Sequence, residues 1–320
     1  MPPRLTLKEL EKRYGAASEV PPEVLESLES DSRAGGQRLY RRLKNRSDQQ
    51  QHERARMEGM FRYERELWQA GVQRVAGVDE VGLGPMAGPV VAAAVVFAPG
   101  TRIDGVDDSK CLDADHRVDL DFRIRQTADG IGLGVVSSGD VDRLNVYYAG
   151  LRAMQLAVEA LSTPPEHILV DSRTIPNIPQ SQSSFNKGDS LSFSIASASI
   201  VAKVYRDSLM CDMDQIYPGY GFAGHKGYCT REHQEAVRKR GPSPIHRRSY
   251  NFIKELRGEY CPLFYDILRQ ADAVASSSDL ATLESRLRAS RIDLSATERR
   301  KLHLVVRRRR NRLYRLSGDS

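Results

Sequence analysis

Residues 76–96 read AGVDEVGLGPMAGPVVAAAVV, and this stretch decides the fold of the chain. Its pattern predicts an apolar strand, a glycine-rich bend and a second apolar strand, with Asp79 and Glu80 beside the bend. Ionised carboxylates next to a buried strand are costly unless a cation or hydrogen bonds compensate them, so the adjacent pair indicates a metal site. Successive strand residues point to opposite faces, so both acids can reach one ion only where the strand ends or kinks, a freedom that Gly82 and Gly84 supply. The alternative is a surface hairpin with exposed acids.

The composition is that of a globular protein with a substantial core: 320 residues, of which 40% are hydrophobic. No apolar run approaches the roughly 20 residues of a membrane span, so we expect a cytoplasmic protein. The four cysteines show no Cys-x-x-Cys spacing, which argues against a zinc site and a disulfide framework.

The net charge of +6 is concentrated at the C-terminal end of the chain. Residues 263–320 carry 13 Lys and Arg against 7 Asp and Glu, so residues 1–262 are neutral overall. Nine basic residues and no acidic one lie between Arg299 and Arg315. This segment is either a solvated helix or an accessory arm that binds polyanions.

Changes in composition along the chain predict three parts. Residues 1–70 are charged and helical, with a long helical run over about 36–68 that we expect to pack weakly on the body or to engage a partner. Residues 71–262 are expected to form the central domain, which carries the acidic pair. Residues 263–320 form a basic, helical C-terminal extension.

The middle part alternates strands and helices. After the two strands of the opening stretch, 131–136 is typical of a third strand, and 141–161 has the 3.6-residue apolar period of an amphipathic helix. Residues 168–171 are typical of a buried strand that ends at Asp171, and 191–195 of a strand or a strand-to-helix transition. This order predicts a partly parallel α/β sheet with a site at the strand ends.

A helix predicted over about 196–217 places Asp207 on the same stripe as apolar residues. A carboxylate on a stripe that faces the core needs a counter-charge, which a metal or Lys203 can supply. In the second case Asp207 is only half of an i,i+4 ion pair.

Taken together, Asp79, Glu80, Asp171 and Asp207 are hard oxygen donors of the kind that Mg²⁺ or Mn²⁺ prefers. Two such ions can activate a water and stabilise the leaving oxygen of a phosphodiester. No serine, cysteine or histidine triad accompanies these acids, which disfavours covalent catalysis. The glycine-rich loop at 218–228 suits the approach of a phosphate chain and stacking on a sugar or base.

Twelve short motifs, in order, closely resemble bacterial ribonuclease HII. They are GVDEVG (77–82), GP (84–85), AGPVV (87–91), DSK (108–110), VD (170–171), KGD (187–189), SIA (194–196), ASIVAKV (198–204), RD (206–207), YP (217–218), YG (220–221) and HKGY (225–228).

This resemblance implies the ribonuclease H-like fold, an α/β fold in which a mixed five-stranded sheet is flanked by helices, here with a helical C-terminal part and helical extensions at both ends. It implies an endonuclease that cuts the RNA strand of RNA–DNA hybrids and single ribonucleotides in duplex DNA, and hence roles in ribonucleotide and primer removal. By the same resemblance the four acids form a two-metal catalytic site. The implied substrate-binding residues are Gly82, Leu83, Gly84, Lys110, Lys203 and Tyr228.

Two departures from the family pattern bear on substrate binding. The family usually has arginine where this chain has Leu83, and leucine cannot orient a phosphate. We expect weaker affinity for a single embedded ribonucleotide, partly offset by Lys110, Lys203 or the basic C-terminal segment. Ser172 and Arg173 stand where the family has glycine and asparagine, so Arg173 offers a replacement cation.

Two other functions are compatible with this sequence. One is a DNA nuclease of the resolvase or integrase kind on the same fold, which a requirement for the substrate 2′-hydroxyl would exclude. The other is a non-catalytic hybrid-binding protein, against which the retention of all four acids argues.

Overall fold

A five-stranded mixed sheet forms the centre of the computed structural model, which describes residues 6–15, 17, 20–290 and 292–317. The strands are β1 (Val75–Val81), β2 (Val90–Val96), β3 (Gly130–Val136), β4 (His167–Asp171) and β5 (Ser181–Phe185), in the order β3-β2-β1-β4-β5. β2 pairs antiparallel with β1 and β3, whereas β1, β4 and β5 run parallel. The predicted fold class is confirmed.

The register of the two central parallel strands brings their carboxyl ends together. Val78 of β1 is level with Val170 of β4, so the next residues, Asp79 and Asp171, emerge side by side. Open α/β sheets bind ligands at such strand ends. The sheet therefore positions the acids that the sequence singles out.

The described residues form thirteen α-helices. They are α1 (Leu7–Tyr14), α2 (Pro22–Glu29), α3 (Ala34–Met60), α4 (Arg62–Gln69), α5 (Ala114–Thr127), α6 (Ser138–Glu159), α7 (Phe193–Ile216), α8 (Phe222–His225), α9 (Arg231–Arg240), α10 (Asn251–Leu256), α11 (Pro262–Ala273), α12 (Ser277–Ala289) and α13 (Ala296–Ser317). None of them is long and apolar enough to cross a membrane.

Glycines in the strands let two helices lie directly on the sheet. A Cβ at Gly77 of β1 would stand 2.0 Å from the Ser194 carbonyl carbon of α7, and one at Gly134 of β3 would stand 1.9 Å from the Ala153 oxygen of α6. Only residues without a Cβ permit such close backbone packing. The helices α6 and α7 therefore lie against the strands that carry the candidate site.

Three details differ from the sequence predictions. The run expected over 36–68 is two helices, because the helical path breaks at Phe61 between α3 and α4. Residues 191–195 form no strand: α7 already begins at Phe193, after a short 3₁₀ turn at Gly188–Ser190. The polar edge strand β5 was not predicted.

The expectation that the N-terminal helices pack weakly is wrong for their last part. Met57 and Met60 of α3 and Phe61 are buried in the main core with residues of β2 and α7. Glu64 of α4 is fully buried and accepts hydrogen bonds from Ser192 Oγ at 2.6 Å and Ser194 N at 2.9 Å. The end of α3 and the start of α4 are therefore part of the main core.

Packing divides the chain into two units, Met1–Leu83 with Pro89–Ile216, and Gly84–Gly88 with Tyr217–Ser320. The first contains the sheet, and the second contains α8–α13. Within the second unit, α11, α12 and α13 share a core of their own. The predicted division at residues 70 and 262 stays a prediction, and its parts at 1–5 and 318–320 lie outside the described residues.

Candidate metal centre

Three carboxylates meet at the ends of the central strands. One side-chain oxygen from each of Asp79, Glu80 and Asp171 lies within 4.8 Å of the other two. Asp79 is buried, and the other two are partly exposed. The structure thus brings together three of the four predicted acids.

Strand geometry explains how two adjacent acids share one site. Asp79 has the same parity as Gly77 and points to the α7 face, where it hydrogen-bonds with Ser199. Glu80 points to the α6 face, where its Cγ would lie 3.8 Å from a Cβ at Gly150. Because β1 ends one residue later, both side chains can still turn towards the strand end.

Asp171 is fixed by its neighbours. Its Oδ1 accepts a hydrogen bond from Gly188 N at 2.7 Å, and its Oδ2 accepts one from Ser172 Oγ at 2.9 Å. A Cβ at Gly188 would lie 2.7 Å from Ile195 Cδ1, so glycine is needed for this approach. The KGD motif therefore positions a carboxylate of the site.

Burial raises the pKa of Asp79 and of Glu80 well above the ordinary carboxyl value, and the charge of nearby Asp171 acts in the same direction. A hydrogen bond from Ser199 partly opposes the shift at Asp79, and the charge of Arg173 partly opposes it at Glu80. Such shifts from desolvation and like charges are typical of functional sites.

The residues present fit a divalent cation. Glu80 Oε2 is buried and has no hydrogen-bond partner among the described residues, which leaves a hard oxygen donor available beside two other carboxylates. Mg²⁺ and Mn²⁺ favour such donors and retain coordination positions for water and phosphate. A bound divalent ion would polarise a phosphoryl oxygen and lower the pKa of a coordinated water.

Asp207, the fourth predicted acid, is not part of this group of three. Its Oδ1 accepts a hydrogen bond from Lys203 Nζ at 2.7 Å, which is the i,i+4 ion pair that the sequence left open. The preceding residue, Arg206, is fully buried and donates from Nε to Pro89 O at 3.0 Å. A metal-binding role for Asp207 stays a prediction.

The glycine bend after β1 has a packing role for Gly82. It adopts φ +97°, and a Cβ there would stand 2.4 Å from Arg206 Nε and 2.8 Å from Pro89 O. Leu83 lies beside α6, since its Cδ2 would be 3.1 Å from a Cβ at Gly150. Leu83 thus packs an apolar side chain close to Glu80.

Lys110, a predicted substrate contact, is already paired with acids. Its Nζ lies 2.8 Å from Asp189 Oδ2 and 3.3 Å from Asp108 Oδ1. Although partial burial acts to lower it, the pKa of Lys110 is raised because the hydrogen bond to Asp189 stabilises the charged form. Asp189 in turn raises the pKa of Asp79, which places this pair within electrostatic reach of the three carboxylates.

Gly84 and Tyr228 lie in the second unit. The exposed Tyr228 ring stands 3.6 Å from where a Gly84 Cβ would be, so the ring covers this glycine. The Tyr228 carbonyl accepts a hydrogen bond from His233 Nδ1 at 2.8 Å. His233 Nε2 in turn lies 3.0 Å from His246 Nε2.

The neighbours of these two histidines fix their protonation. His246 Nδ1 accepts from Ser243 N at 2.9 Å, so its proton is on Nε2 and points to His233. His233 therefore carries its proton on Nδ1, towards Tyr228. Burial lowers the pKa of His233 to about 3 and that of His246 to about 4, so both stay neutral and hold the Tyr228 backbone. Sequence reasoning missed this pair because a lone histidine carries no signal of its partner.

The sheet order together with carboxylates at the central strand ends defines a protein of the ribonuclease H-like fold. The structure is similar to the ribonuclease H2 from Pyrococcus horikoshii OT3, with a TM-score of 0.51 and 25% sequence identity, covering 58% of this chain and 98% of that chain. The chain belongs to the ribonuclease HII family: residues 76–253 match the family model described as Ribonuclease HII, and residues 6–68 match its N-terminal domain.

Curated relatives agree with this assignment. The chain is 47% identical over 254 residues to the Ribonuclease HII of Myxococcus xanthus (strain DK1622), covering 79% of this chain and 87% of that protein. It is 47% identical over 231 residues to the Ribonuclease HII of Geobacillus kaustophilus (strain HTA426), covering 72% and 88%. The chain is therefore a member of an endoribonuclease family, and the prediction that it is an enzyme is confirmed.

Proposed function

We propose that this chain is a divalent-metal-dependent endonuclease that hydrolyses the RNA strand of RNA–DNA hybrids. It cuts on the 5′ side of ribonucleotides embedded in duplex DNA and leaves 3′-hydroxyl and 5′-phosphate ends. The observation that carries this proposal is the group of Asp79, Glu80 and Asp171 at the strand ends of a ribonuclease HII chain. In the cytoplasm such cleavage would serve ribonucleotide repair and the removal of replication primers.

The proposed roles follow the chemistry of each side chain. The three carboxylates, with Asp207, hold Mg²⁺ or Mn²⁺ in a two-metal site. The backbone at 82–84 reads the 2′-hydroxyl, and the Tyr228 ring stacks on the sugar at the RNA–DNA junction. Lys110 and Lys203 lie near the phosphates, where each exchanges a carboxylate partner for the substrate.

A cleavage assay on three duplexes tests this function: DNA with one embedded ribonucleotide, a long RNA–DNA hybrid, and DNA alone. We expect cleavage of the first two with Mg²⁺ or Mn²⁺, none of the third, and none of any duplex in EDTA. Asp79→Asn should abolish cleavage, whereas Asp115→Asn, at an exposed position on α5, should not. Cleavage of the all-DNA duplex would instead identify a DNA nuclease.

Leu83 sets the expected balance between the two substrates. Without an arginine at this position, the enzyme should prefer the long hybrid over the single ribonucleotide. Leu83→Arg should lower KM for the single-ribonucleotide duplex more than for the hybrid. Equal KM changes on both substrates would argue against this role.

The C-terminal helices add a second contact with nucleic acid. Arg307, Arg308 and Arg312 of α13 are exposed, and α13 contains no acidic residue after Glu298. Phosphate backbones bind such a surface through charge and release of counterions, without sequence preference. A contact of this kind would retain the enzyme on duplex DNA between cleavage events.

A further inference from the structure

Arg173 holds a positive charge beside the carboxylate group without being paired to it. Its guanidinium carbon lies 4.5 Å from the centroid of the Tyr147 ring, and its Nη1 is buried with no hydrogen-bond partner among the described residues. No ion pair of Arg173 with a carboxylate within 4.0 Å is found among the described residues. Its charge nevertheless reaches Glu80, whose pKa it lowers against the larger effects of burial and neighbouring acids.

A tight turn fixes Arg173 next to the site. Arg173 N donates to Asp171 O at 2.7 Å, and Ser172 N donates to Phe185 O of β5 at 2.8 Å. Ser172 adopts φ +61°, in the left-handed region that non-glycine residues rarely occupy. The backbone therefore places the cation two residues after a carboxylate of the site.

The Tyr147 ring under Arg173 is likewise positioned by the local backbone conformation. Asn145 interrupts α6 with φ +64°, and its Oδ1 accepts hydrogen bonds from Tyr147 N at 2.9 Å and Tyr148 N at 3.2 Å. This caps the second part of α6 and fixes Tyr147, a residue that is 47% exposed. Unlike Nη1, the Nε and Nη2 atoms of Arg173 are not among the buried atoms without a partner, and a position over the ring face leaves their N–H groups available to a ligand.

The two lysines that the sequence assigns to substrate binding are already paired. Lys110 is bound to Asp189, Lys203 is bound to Asp207, and position 83 carries leucine. Bound divalent ions would neutralise the carboxylates and the scissile phosphate, so a cation of the protein itself is needed for the neighbouring phosphodiester. Among these groups, Arg173 has the geometry to supply it.

We propose that Arg173, positioned by Tyr147, forms a phosphate-binding subsite for the cleaved strand. Its guanidinium donates charge-assisted hydrogen bonds to non-bridging oxygens of a phosphodiester adjacent to the scissile one. The inference rests on the proposed function and adds to it the residue that neutralises substrate charge where Leu83 does not. Tyr147 is a positioning residue, since it acts through Arg173.

The competing role for Arg173 is that of a counter-charge to Glu80, and the two roles predict different measurements. A phosphate contact affects substrate affinity and its salt dependence. A counter-charge affects the Mg²⁺ concentration that gives half-maximal activity and leaves KM unchanged at saturating metal. KM, kcat and the Mg²⁺ requirement should therefore be measured together for Arg173→Ala and Arg173→Lys.

On the single-ribonucleotide duplex we expect Arg173→Ala to raise KM about 10- to 100-fold with a smaller change in kcat. The KM of Arg173→Lys should lie between those of the wild type and Arg173→Ala, because an ammonium group keeps the charge but cannot bind bidentately. Binding of the same duplex should also be measured with the inactive Asp79→Asn protein over a range of salt concentrations. Adding Arg173→Ala to that protein should lower the slope of the logarithm of affinity against the logarithm of salt concentration by about one. Arg152→Ala, on the exposed side of α6, is the matched control and should leave KM and slope unchanged.

Two further variants test the geometry. Tyr147→Ala should raise KM, and Tyr147→Phe should retain most of the affinity because it keeps the ring face. Leu83→Arg should restore affinity to the Arg173→Ala protein. An unchanged KM in Arg173→Ala, with a shifted Mg²⁺ requirement, overturns the subsite while the nuclease function stands. A wild-type protein that cleaves neither ribonucleotide substrate overturns the function itself.

Discussion

At the scale of single residues, the fold holds three carboxylates close together although their charges repel one another. Asp79 and Glu80 are adjacent in sequence, lie close to Asp171, and have pKa values raised first by burial. In the metal-free protein, the burial and mutual repulsion of these carboxylates lower the free energy of unfolding, and a bound divalent cation would remove this destabilisation. Removal of one charge should expose this cost as added stability.

Asp79→Asn should therefore abolish cleavage and stabilise the metal-free protein. A raised carboxyl pKa means that the folded state binds more protons than the unfolded chain, so the free energy of unfolding falls as pH rises from about 4 through neutral. We expect the variant to be more stable by about 1–3 kcal/mol at about pH 8, with a smaller gain at about pH 5. Urea unfolding in EDTA measures this.

Asp115→Asn serves as the control for that comparison and should leave the pH dependence unchanged. If Asp79→Asn destabilised the metal-free protein near pH 8, the repulsion inferred among the three carboxylates would be wrong.

Gly82 and Gly84 lie on either side of Leu83, but the structure assigns them different roles. Gly82→Ala would force a Cβ against Arg206 and Pro89 at φ +97°, so we expect a loss of about 2–4 kcal/mol in unfolding free energy. At Gly84 the nearest contact is an ordinary 3.6 Å to Tyr228, so Gly84→Ala should keep full stability. Denaturant titration of both proteins tests the contrast, and equal losses would refute it.

At the scale of elements, α4 supplies the hydrogen-bond acceptor that caps the N-terminus of α7. The first turn of α7 exposes backbone N–H groups, and the Glu64 carboxylate accepts from Ser194 N and from Ser192 Oγ. Ser192 Oγ itself accepts from Ile195 N at 3.2 Å. An N-terminal helix thereby caps the helix that carries Ser199 and Asp207.

Glu64→Ala should cost about 2–4 kcal/mol of unfolding free energy, because it leaves buried donors unpaired and opens a cavity. Glu64→Gln should cost less, since an amide oxygen can still accept both hydrogen bonds. Thermal or urea unfolding measures both. On the same helix, Glu66→Ala removes only an exposed pair with Arg62 and should be close to neutral; a comparable loss there would exclude the capping role.

An element could be predicted where its own segment of sequence shows a regular apolar pattern, and could not where its conformation depends on residues elsewhere in the chain. The apolar strands and the 3.6-residue period of α6 were recognisable, but the kink at Asn145 was not, since it leaves the period intact. β5 escaped prediction because Ser-Gln-Ser-Ser-Phe is an edge strand without apolar alternation. The three converging acids were predictable from the strand ends, whereas Asp207 depends on tertiary geometry and on Lys203.

At the scale of the whole molecule, charge and catalysis are separated along the sequence. Residues 1–262 are neutral overall, and the excess of +6 lies in 263–320, beyond the range that matches the ribonuclease HII family model. The C-terminal helices have their own apolar core, so their basic surface can change without disturbing the sheet.

Replacing both Arg308 and Arg312 by glutamine should weaken binding to duplex DNA while kcat stays unchanged. The slope of the logarithm of affinity against the logarithm of salt concentration should fall by up to about two. Fluorescence anisotropy over a KCl series measures the slope. The control replaces Arg38 and Arg41, exposed on α3 in the neutral part of the chain. The same loss of affinity in both pairs would show a general charge effect and no binding surface.

The bond between Glu64 and Ser192 spans 128 positions, which bears on how the chain folds during synthesis. Glu64 leaves the ribosome long before α7 exists, so its carboxylate stays hydrated until the partner helix has been translated. Closure of the core therefore waits for late-made residues, and a nascent chain stopped before position 192 should remain sensitive to protease in its N-terminal helices.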